Sequence, residues 1–269
     1  MELSIIITNY KNPELLKVCI NSVKKNIQRI QYEIIVADSA TEEDTELMMQ
    51  EYFPEITFLP SKENIGFGGT VNNGLKVAQG EYILILNGDI IVKKEAIITL
   101  LNYIKQYPET GIVAPQLLNF NETHQPSTFK FYTPLTIVYR RTFLGKMPFA
   151  KKHLDNFLMK GVNYEETREV DWIMGSSFMA QKKAIDKVGV MDMRFRLYFE
   201  DTDWCRRFWE AGYKVVYLPQ AQMYHYHGRG SAGKSIVKTL LSNRLTWIHI
   251  ASAIKYFRKY AGRELPKHK

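Results

Sequence analysis

Three acidic positions in the 269-residue chain stand where an open α/β sheet presents its ligands, just beyond the carboxyl ends of strands. Asp38 closes the apolar run Glu33 to Ala37. Asp89 ends the triplet Asn87-Gly88-Asp89 after the run Tyr82 to Leu86. Glu200-Asp201-Thr202-Asp203 follows the aromatic-rich stretch Phe195 to Phe199. Together they suggest a nucleotide site, a divalent-metal site and a general base. Carboxylate oxygens suit Mg²⁺ or Mn²⁺, and a carboxylate beside a hydroxyl can take its proton. Each position also has a plainer reading: Asp38 as a helix cap, Asp89 as a turn residue, and 200–203 as acids gathered at a helix N-terminus.

A second motif competes for attention. Gly228 to Ser235 reads G-R-G-S-A-G-K-S, which fits the phosphate-cradling P-loop pattern letter for letter. A P-loop normally opens its nucleotide domain, and a later strand supplies the metal-positioning acid. Here 34 residues follow Ser235, with no strand ending in an acid. The match is therefore read as chance.

Composition bounds the rest. Apolar residues make up 45% and charged residues 24%, which is globular, and no internal repeat or low-complexity tract is visible. The length suits one α/β enzyme with a sizeable core. The excess of 36 Lys and Arg over 28 Asp and Glu, a formal charge of +8, favours anionic partners. The bases are dispersed and no stacking module accompanies them, so nucleic acid is not expected. Cys19 and Cys205, both in amphipathic helical patterns, read as buried free thiols in a reducing compartment. No signal peptide and no stretch near the ~20 apolar residues of a membrane span is present, which points to the cytoplasm, or to the inner face of a membrane.

The elements that must position the acids follow from periodicity. Ile5-Ile6-Ile7, Glu33 to Ala37, Ile56 to Leu59 and Tyr82 to Leu86 read as buried strands. Helices run from Pro13 to about Gln28, from Thr41 onward, and from Gly66 to Ala78. Such alternation implies right-handed βαβ units, a mainly parallel sheet and an α/β fold. After Pro115 the alternation fails. Residues 120–165, with Pro126, Pro134 and Pro148, read as a long irregular lid or acceptor platform. A helix from about Asp203 to Ala211, a strand from Lys214 to Leu218 and a basic helical tail complete the chain.

The ordered succession of several stretches resembles the family 2 inverting glycosyltransferases of the GT-A fold, and within them the rhamnosyltransferase-like branch. The stretches are S-I-I-I-T-N-Y, Y-E-I-I-V-A-D-S, the run N-I-G-F-G-G-T-V-N-N-G-L-K-V-A-Q-G-E-Y-I-L-I-L-N-G-D, V-D-W-I-M-G-S-S-F, L-Y-F-E-D-T-D-W-C-R-R and Y-L-P-Q-A-Q-M-Y-H. The resemblance implies a single Rossmann-like sheet flanked by helices. Residues 1–115 would be its nucleotide-sugar half, 116–233 its acceptor and catalytic half, and 234–269 its basic tail. It implies a donor site of Thr8, Tyr10, Asp38, Asn64, Gly66, Asn72, Asn87 and Asp89. Asp201 would be the base, and Trp172, Glu200 and Asp203 would serve the acceptor. Asp89 and His225 would hold Mn²⁺ or Mg²⁺, with His227 as rival ligand and a plain strand histidine as the alternative. Arg229 and Lys234 would then lie near the diphosphate.

The implied partners are a UDP- or dTDP-sugar and a saccharide or polyprenyl-diphosphate-linked acceptor for surface polysaccharide. The basic C-terminus would either touch an anionic membrane or simply pack as a terminal helix. Two departures stand out: the metal triplet lacks its first carboxylate, and Ser39-Ala40-Thr41-Glu42 replaces the usual polar and glycine residues after Asp38. A sugar-nucleotidyltransferase and a non-catalytic sugar-nucleotide-binding module are the alternatives. Thr8-Asn9-Tyr10-Lys11-Asn12 after the first strand disfavours the former, and Asp89 together with Asp201 disfavours the latter.

Overall fold

The isoleucine triplet lies in β1 (Leu3–Asn9), where every residue is buried. Ile5 and Ile7 enter one core and Ile6 the other, as a strand covered on both faces requires. β1 pairs in parallel with β2 (Tyr32–Asp38) and β4 (Tyr82–Asn87). Between them run α1 (Pro13–Asn26), α2 (Glu43–Tyr52), β3 (Thr57–Leu59) and α3 (Gly66–Val77). Helix α1 starts where Asn12 accepts a hydrogen bond from the Leu15 amide and Pro13 pre-sets the first turn. The computed structural model describes residues 1–27, 29–226 and 244–266.

The chain continues through β5 (Ile90–Val92), α4 (Ala96–Gln106), β6 (Thr110–Leu118), β7 (His124–Gln125) and β8 (Thr128–Phe129). Where irregular chain was expected, two helices stand: α5 (Pro134–Arg141) and α6 (Pro148–Phe157), joined by a 3₁₀ turn at Phe143–Lys146. Pro134 and Pro148, which looked like breakers, occupy the first helical turn, where a missing N–H costs nothing, and Pro126 falls between β7 and β8. Thr133 completes a capping box with Thr136. Then follow β9 (Arg168–Glu169), β10 (Trp172–Ile173), β11 (Ser177–Gln181), α7 (Lys182–Val188), α8 (Glu200–Glu210), β12 (Lys214–His225) and α9 (Arg244–Lys259).

The main sheet runs β3-β2-β1-β4-β11-β6-β12-β5. It is mainly parallel, as expected, with β11 antiparallel to β4 and β6, and β5 antiparallel to β12. Because β11 and β12 pair directly with β4 and β6, the two halves of the chain share one sheet. Register then gathers the site. Asn9 lies beside Asp38 and Thr8 beside Asn87, while His225 lies opposite Ile90, next to Asp89. Both cysteines are buried free thiols. Among the described residues no helix is long and apolar enough to cross a membrane.

Helix α9 is a packed helix along much of its length. Thr246, His249, Ser252, Ala253 and Tyr256 are buried, as is Tyr260 just after it, whereas Trp247 and Ile254 face outward. Its anchor is Asp203. Two residues beyond Asp201, it points round the far side of α8, is fully buried, and accepts from Tyr260 Oη at 2.8 Å and Arg207 Nε at 2.9 Å, with Lys259 as a third partner. The expected acceptor role is therefore corrected: Asp203 clamps α9 to α8. Removing one member of such a network strands the others' charge, so Asp203→Ala should lose about 3–5 kcal/mol of stability in urea unfolding, where Asp201→Asn loses little.

Candidate active site

Two clefts open along the carboxyl edge of the sheet and share a wall that includes Phe67, Asn87, Asp89 and Leu197. One, about 850 Å³, is lined by Thr8, Tyr10, Ser39, Asn64 and Gly66. The other, about 630 Å³, is lined by Tyr132, Trp172, Glu200, Asp201 and His225. Both volumes suit small-molecule ligands.

In the first cleft Thr8 Oγ1 donates to Asn87 Oδ1 at 3.1 Å, and Tyr10 stands exposed at the rim. Asp38 is buried behind Ser39. Its Oδ1 accepts from Asn9 Nδ2 at 2.9 Å, while its Oδ2 is buried with no hydrogen-bond partner. Burial raises this carboxyl's pKa, against the Asn9 hydrogen bond that lowers it. Residues 39–41, the departure from the family pattern, tie β2 to the loop before α3. Ser39 Oγ accepts from the Ile65 amide at 3.0 Å, and the Ala40 and Thr41 amides donate to Glu63 and Ser61. Asn64 Oδ1 accepts from the Gly66 amide. Gly66 has φ of +72°, and a Cβ there would lie 2.2 Å from the Arg196 carbonyl oxygen, so only glycine fits. Asn72 lines neither cleft. Its amide bonds both ways to Met191, at 2.8 and 3.0 Å, and so pins α3 to the chain leading to α8.

In the second cleft the Asp201 carboxylate is half-buried and held by two backbone amides, Gly175 at 3.1 Å and Thr202 at 2.7 Å. Burial raises its pKa to about 6 despite those donors. Glu200 beside it is buried, its Oε2 without a hydrogen-bond partner. Burial, and then the Asp201 charge, push its carboxyl well above the usual range. The turn that aims these two acids is strained. Tyr198 and Phe199 both hold left-handed backbone, φ of 65° and 70°, immediately before α8. Phe199 is fixed there by packing on Tyr132 and Tyr256. Trp172 stacks on Phe129 at 4.6 Å and donates Nε1 to the Lys130 carbonyl.

Asp89 and His225 come together where the clefts meet. His225 Nε2 is 3.5 Å from Asp89 Oδ1, an oxygen that is buried and has no hydrogen bond among the described residues. His225 Nδ1 lies 2.6 Å from Gln125 Oε1, an acceptor, so neutral His225 carries its proton on Nδ1 and turns the Nε2 lone pair toward Asp89. One carboxylate oxygen and one imidazole nitrogen fit a divalent cation that takes its remaining ligands from phosphate and water. Among the described residues no third His, Cys, Asp or Glu joins them. His227, Arg229, Lys234 and the P-loop-like stretch Gly228–Ser235 lie outside the described residues.

Sequence reasoning missed Asn9, Gln125, Gly175 and the α5 arginines Arg140 and Arg141, which also line the second cleft. Asn9 was visible as a polar residue at a strand end. Gln125 meets His225 across 100 positions of sequence, with no local signal. Orienting partners of this kind affect metal affinity by about 10- to 100-fold. Gln125→Ala should weaken Mn²⁺ binding by that factor, measured as the concentration of Mn²⁺ needed to raise the melting temperature, while the metal-free melting temperature moves little.

Comparison with known proteins agrees with this geometry. The chain is 25% identical over 233 residues to the N-acetylglucosaminyl-diphospho-decaprenol L-rhamnosyltransferase of Mycobacterium tuberculosis, covering 81% of this chain and 74% of that one. It is 25% identical to the rhamnosyltransferase WbbL of Escherichia coli K12, covering 95% and 92%. In structure it is similar to GalNAc-T7 with UDP, GalNAc and Mn²⁺, at a TM-score of 0.64 and 15% identity, over 88% of this chain and 46% of that one. S. aureus TarS follows at 0.56 and 16%, over 84% and 60%. These likenesses establish the GT-A type of α/β fold. The sequence pattern of glycosyl transferase family 2 matches residues 4–200, well over half of the sequence, so the chain belongs to that family and is a glycosyltransferase.

Proposed function

We propose that the enzyme transfers a sugar, with inversion, from a pyrimidine nucleoside diphosphate sugar to a saccharide or lipid-linked acceptor in the assembly of a bacterial surface polysaccharide. Rhamnose is the favoured sugar, by likeness to two relatives named as rhamnosyltransferases. The observation that carries the reading is Asp201: a half-buried carboxylate, gripped by two amides, across a shared wall from a nucleotide-sized cleft.

The first cleft takes the nucleotide. Thr8, Tyr10, Asn64 and Gly66 would surround the base and ribose, and Asp38, buried just behind Ser39, is assigned the pyrimidine N3–H, to which a carboxylate is suited. Asp89 and His225 would hold a divalent cation at the diphosphate. When bound, the cation supplies positive charge against the growing negative charge of the departing nucleoside diphosphate. In the second cleft Trp172, stacked between Phe129 and Tyr132, holds the aromatic wall that would face the acceptor sugar, and Asp201 accepts the proton of the attacking hydroxyl. The new bond joins that oxygen to the anomeric carbon as the bond from carbon to phosphate oxygen breaks on the opposite side, and the electron pair leaves with the nucleoside diphosphate. Glu200, which burial and the neighbouring charge keep toward its protonated form, leaves the basic role to Asp201.

Asp201→Asn keeps the shape but cannot take a proton, so kcat should fall about 10²-fold or more while Kd for the nucleotide sugar barely shifts. Transfer by the Asp201→Asn variant at near wild-type rates would remove Asp201 from the mechanism. The base works deprotonated and its pKa is raised to about 6, so wild-type transfer should fall as pH drops through about 6 and level off above it. That acidic limb should vanish from the residual rate of Asp201→Asn. Separately, EDTA and Asp89→Ala should each remove most transfer, with Mn²⁺ restoring the EDTA-treated enzyme only. Intact rates under both treatments would end the metal assignment.

A further inference from the structure

The last turn of α5 brings two guanidinium groups, Arg140 and Arg141, into the wall of the second cleft, beside the aromatic side chains that flank Asp201. Arg140 Nη1 donates to Tyr132 Oη at 2.8 Å, and its guanidinium lies 5.4 Å from the Phe157 ring centre. Arg141 is half-buried, and its Nε is buried with no hydrogen-bond partner among the described residues. Neither forms an ion pair with a carboxylate among the described residues. Arg140 is exposed, whereas burial and the Arg140 charge both lower the pKa of Arg141, the partly desolvated member of the pair. The same two charges, added to burial, hold His249 on the facing helix down to about 3, so it adds no third charge.

We propose that Arg140 and Arg141 form a binding site for the phosphate or diphosphate group of a lipid-linked acceptor, an inference that rests on the transferase reading above. The guanidinium fork matches phosphate oxygens two at a time. The arginines line only the second cleft, so the site belongs to the acceptor side and not to the nucleotide. The exposed apolar residues of α5 and the chain just after it indicate what carries the phosphate. Leu135 and Val138, one turn apart on α5, are 53% and 40% exposed, and Phe143 and Phe149 just beyond are 72% and 58% exposed. Exposed apolar side chains crowded into fifteen residues, with Lys146, Lys151 and Lys152 exposed among and beside them, suit an amphiphile's chain and an anionic lipid surface. The plainer role for arginines at a helix C-terminus is to oppose the helix dipole, which affects stability but not ligand affinity.

The test is calorimetric binding of farnesyl diphosphate, inorganic pyrophosphate and farnesol to wild type, Arg140→Gln, Arg141→Gln, the double variant and Arg141→Lys. Wild type should bind farnesyl diphosphate more tightly than either of the other probes. Each Gln variant should lose about tenfold or more for farnesyl diphosphate, as charged hydrogen bonds do, and the double variant more. Arg141→Lys, which keeps the charge and the fold, should fall between. Binding of UDP or dTDP, whichever stabilises wild type with Mn²⁺, should be unchanged in all four variants. Three results would overturn the site: equal binding of farnesyl diphosphate and farnesol, affinity unchanged in the double variant, or nucleotide binding weakened as much as farnesyl diphosphate binding. Equal binding of pyrophosphate and farnesyl diphosphate would overturn the lipid source. Failure of wild type to bind any nucleoside diphosphate would sink the donor reading instead, and leaves the arginines judged by farnesyl diphosphate alone.

Discussion

The pairing of the end of β12 with β5, His225 opposite Ile90, is the constraint on which the site depends. It carries a histidine from the far end of the chain to the Asn-Gly-Asp turn. Strand side chains alternate, so a slip of one residue would turn His225 to the other face of the sheet. The pairing is possible because β12 is not a regular strand. Between Leu218 and Gln222 its register against β6 shifts, with Pro219, Gln220 and Ala221 facing a single step from Pro115 to Gln116. Beyond this irregularity β12 resumes its pairing with β6 and takes up β5 on its other side. Pro219, which would break a regular central strand, sits where no ladder hydrogen bond is lost.

Charge is divided along α8 in the same manner. Its first turn holds three carboxyl groups, and the helix's own rotation sends them to different surroundings. Asp201 reaches the cleft and two amides. Glu200 is buried, its Oε2 without a hydrogen-bond partner among the described residues. Asp203 is buried among Lys259, Arg207 and Tyr260. One short acidic stretch thus supplies a cleft-facing carboxylate, a raised carboxyl and a structural clamp, and the left-handed pair Tyr198-Phe199 sets the angle from which all three start.

The parts of this arrangement that were legible in the sequence are those written in contiguous runs. The buried isoleucines of β1 and the apolar runs of β2 and β4 announce a parallel sheet, and an acid just past such a run announces a ligand edge. The helices of 134–157 were hidden because Pro134 and Pro148 look alike as breakers and as first-turn residues. Which of Asp201 and Asp203 faces the cleft turns on the start of α8, set by Phe199 and not by the acids themselves. Asn72 sits in a glycine-rich segment that implies a ligand, but its partner Met191 is 119 positions away. Gln125, Arg140 and Arg141 matter only through contacts made by folding, so no spacing could have revealed them.

The wall common to the two clefts has a thermodynamic consequence. Phe67, Asn87, Asp89, Leu197 and Leu245 face both occupants, so whatever order one ligand imposes on them the other finds already in place. The two binding equilibria are thereby linked, and linkage is symmetric: the factor by which a bound donor changes acceptor affinity equals the factor by which a bound acceptor changes donor affinity. Occupancy of either cleft therefore alters the hold on a ligand in the other.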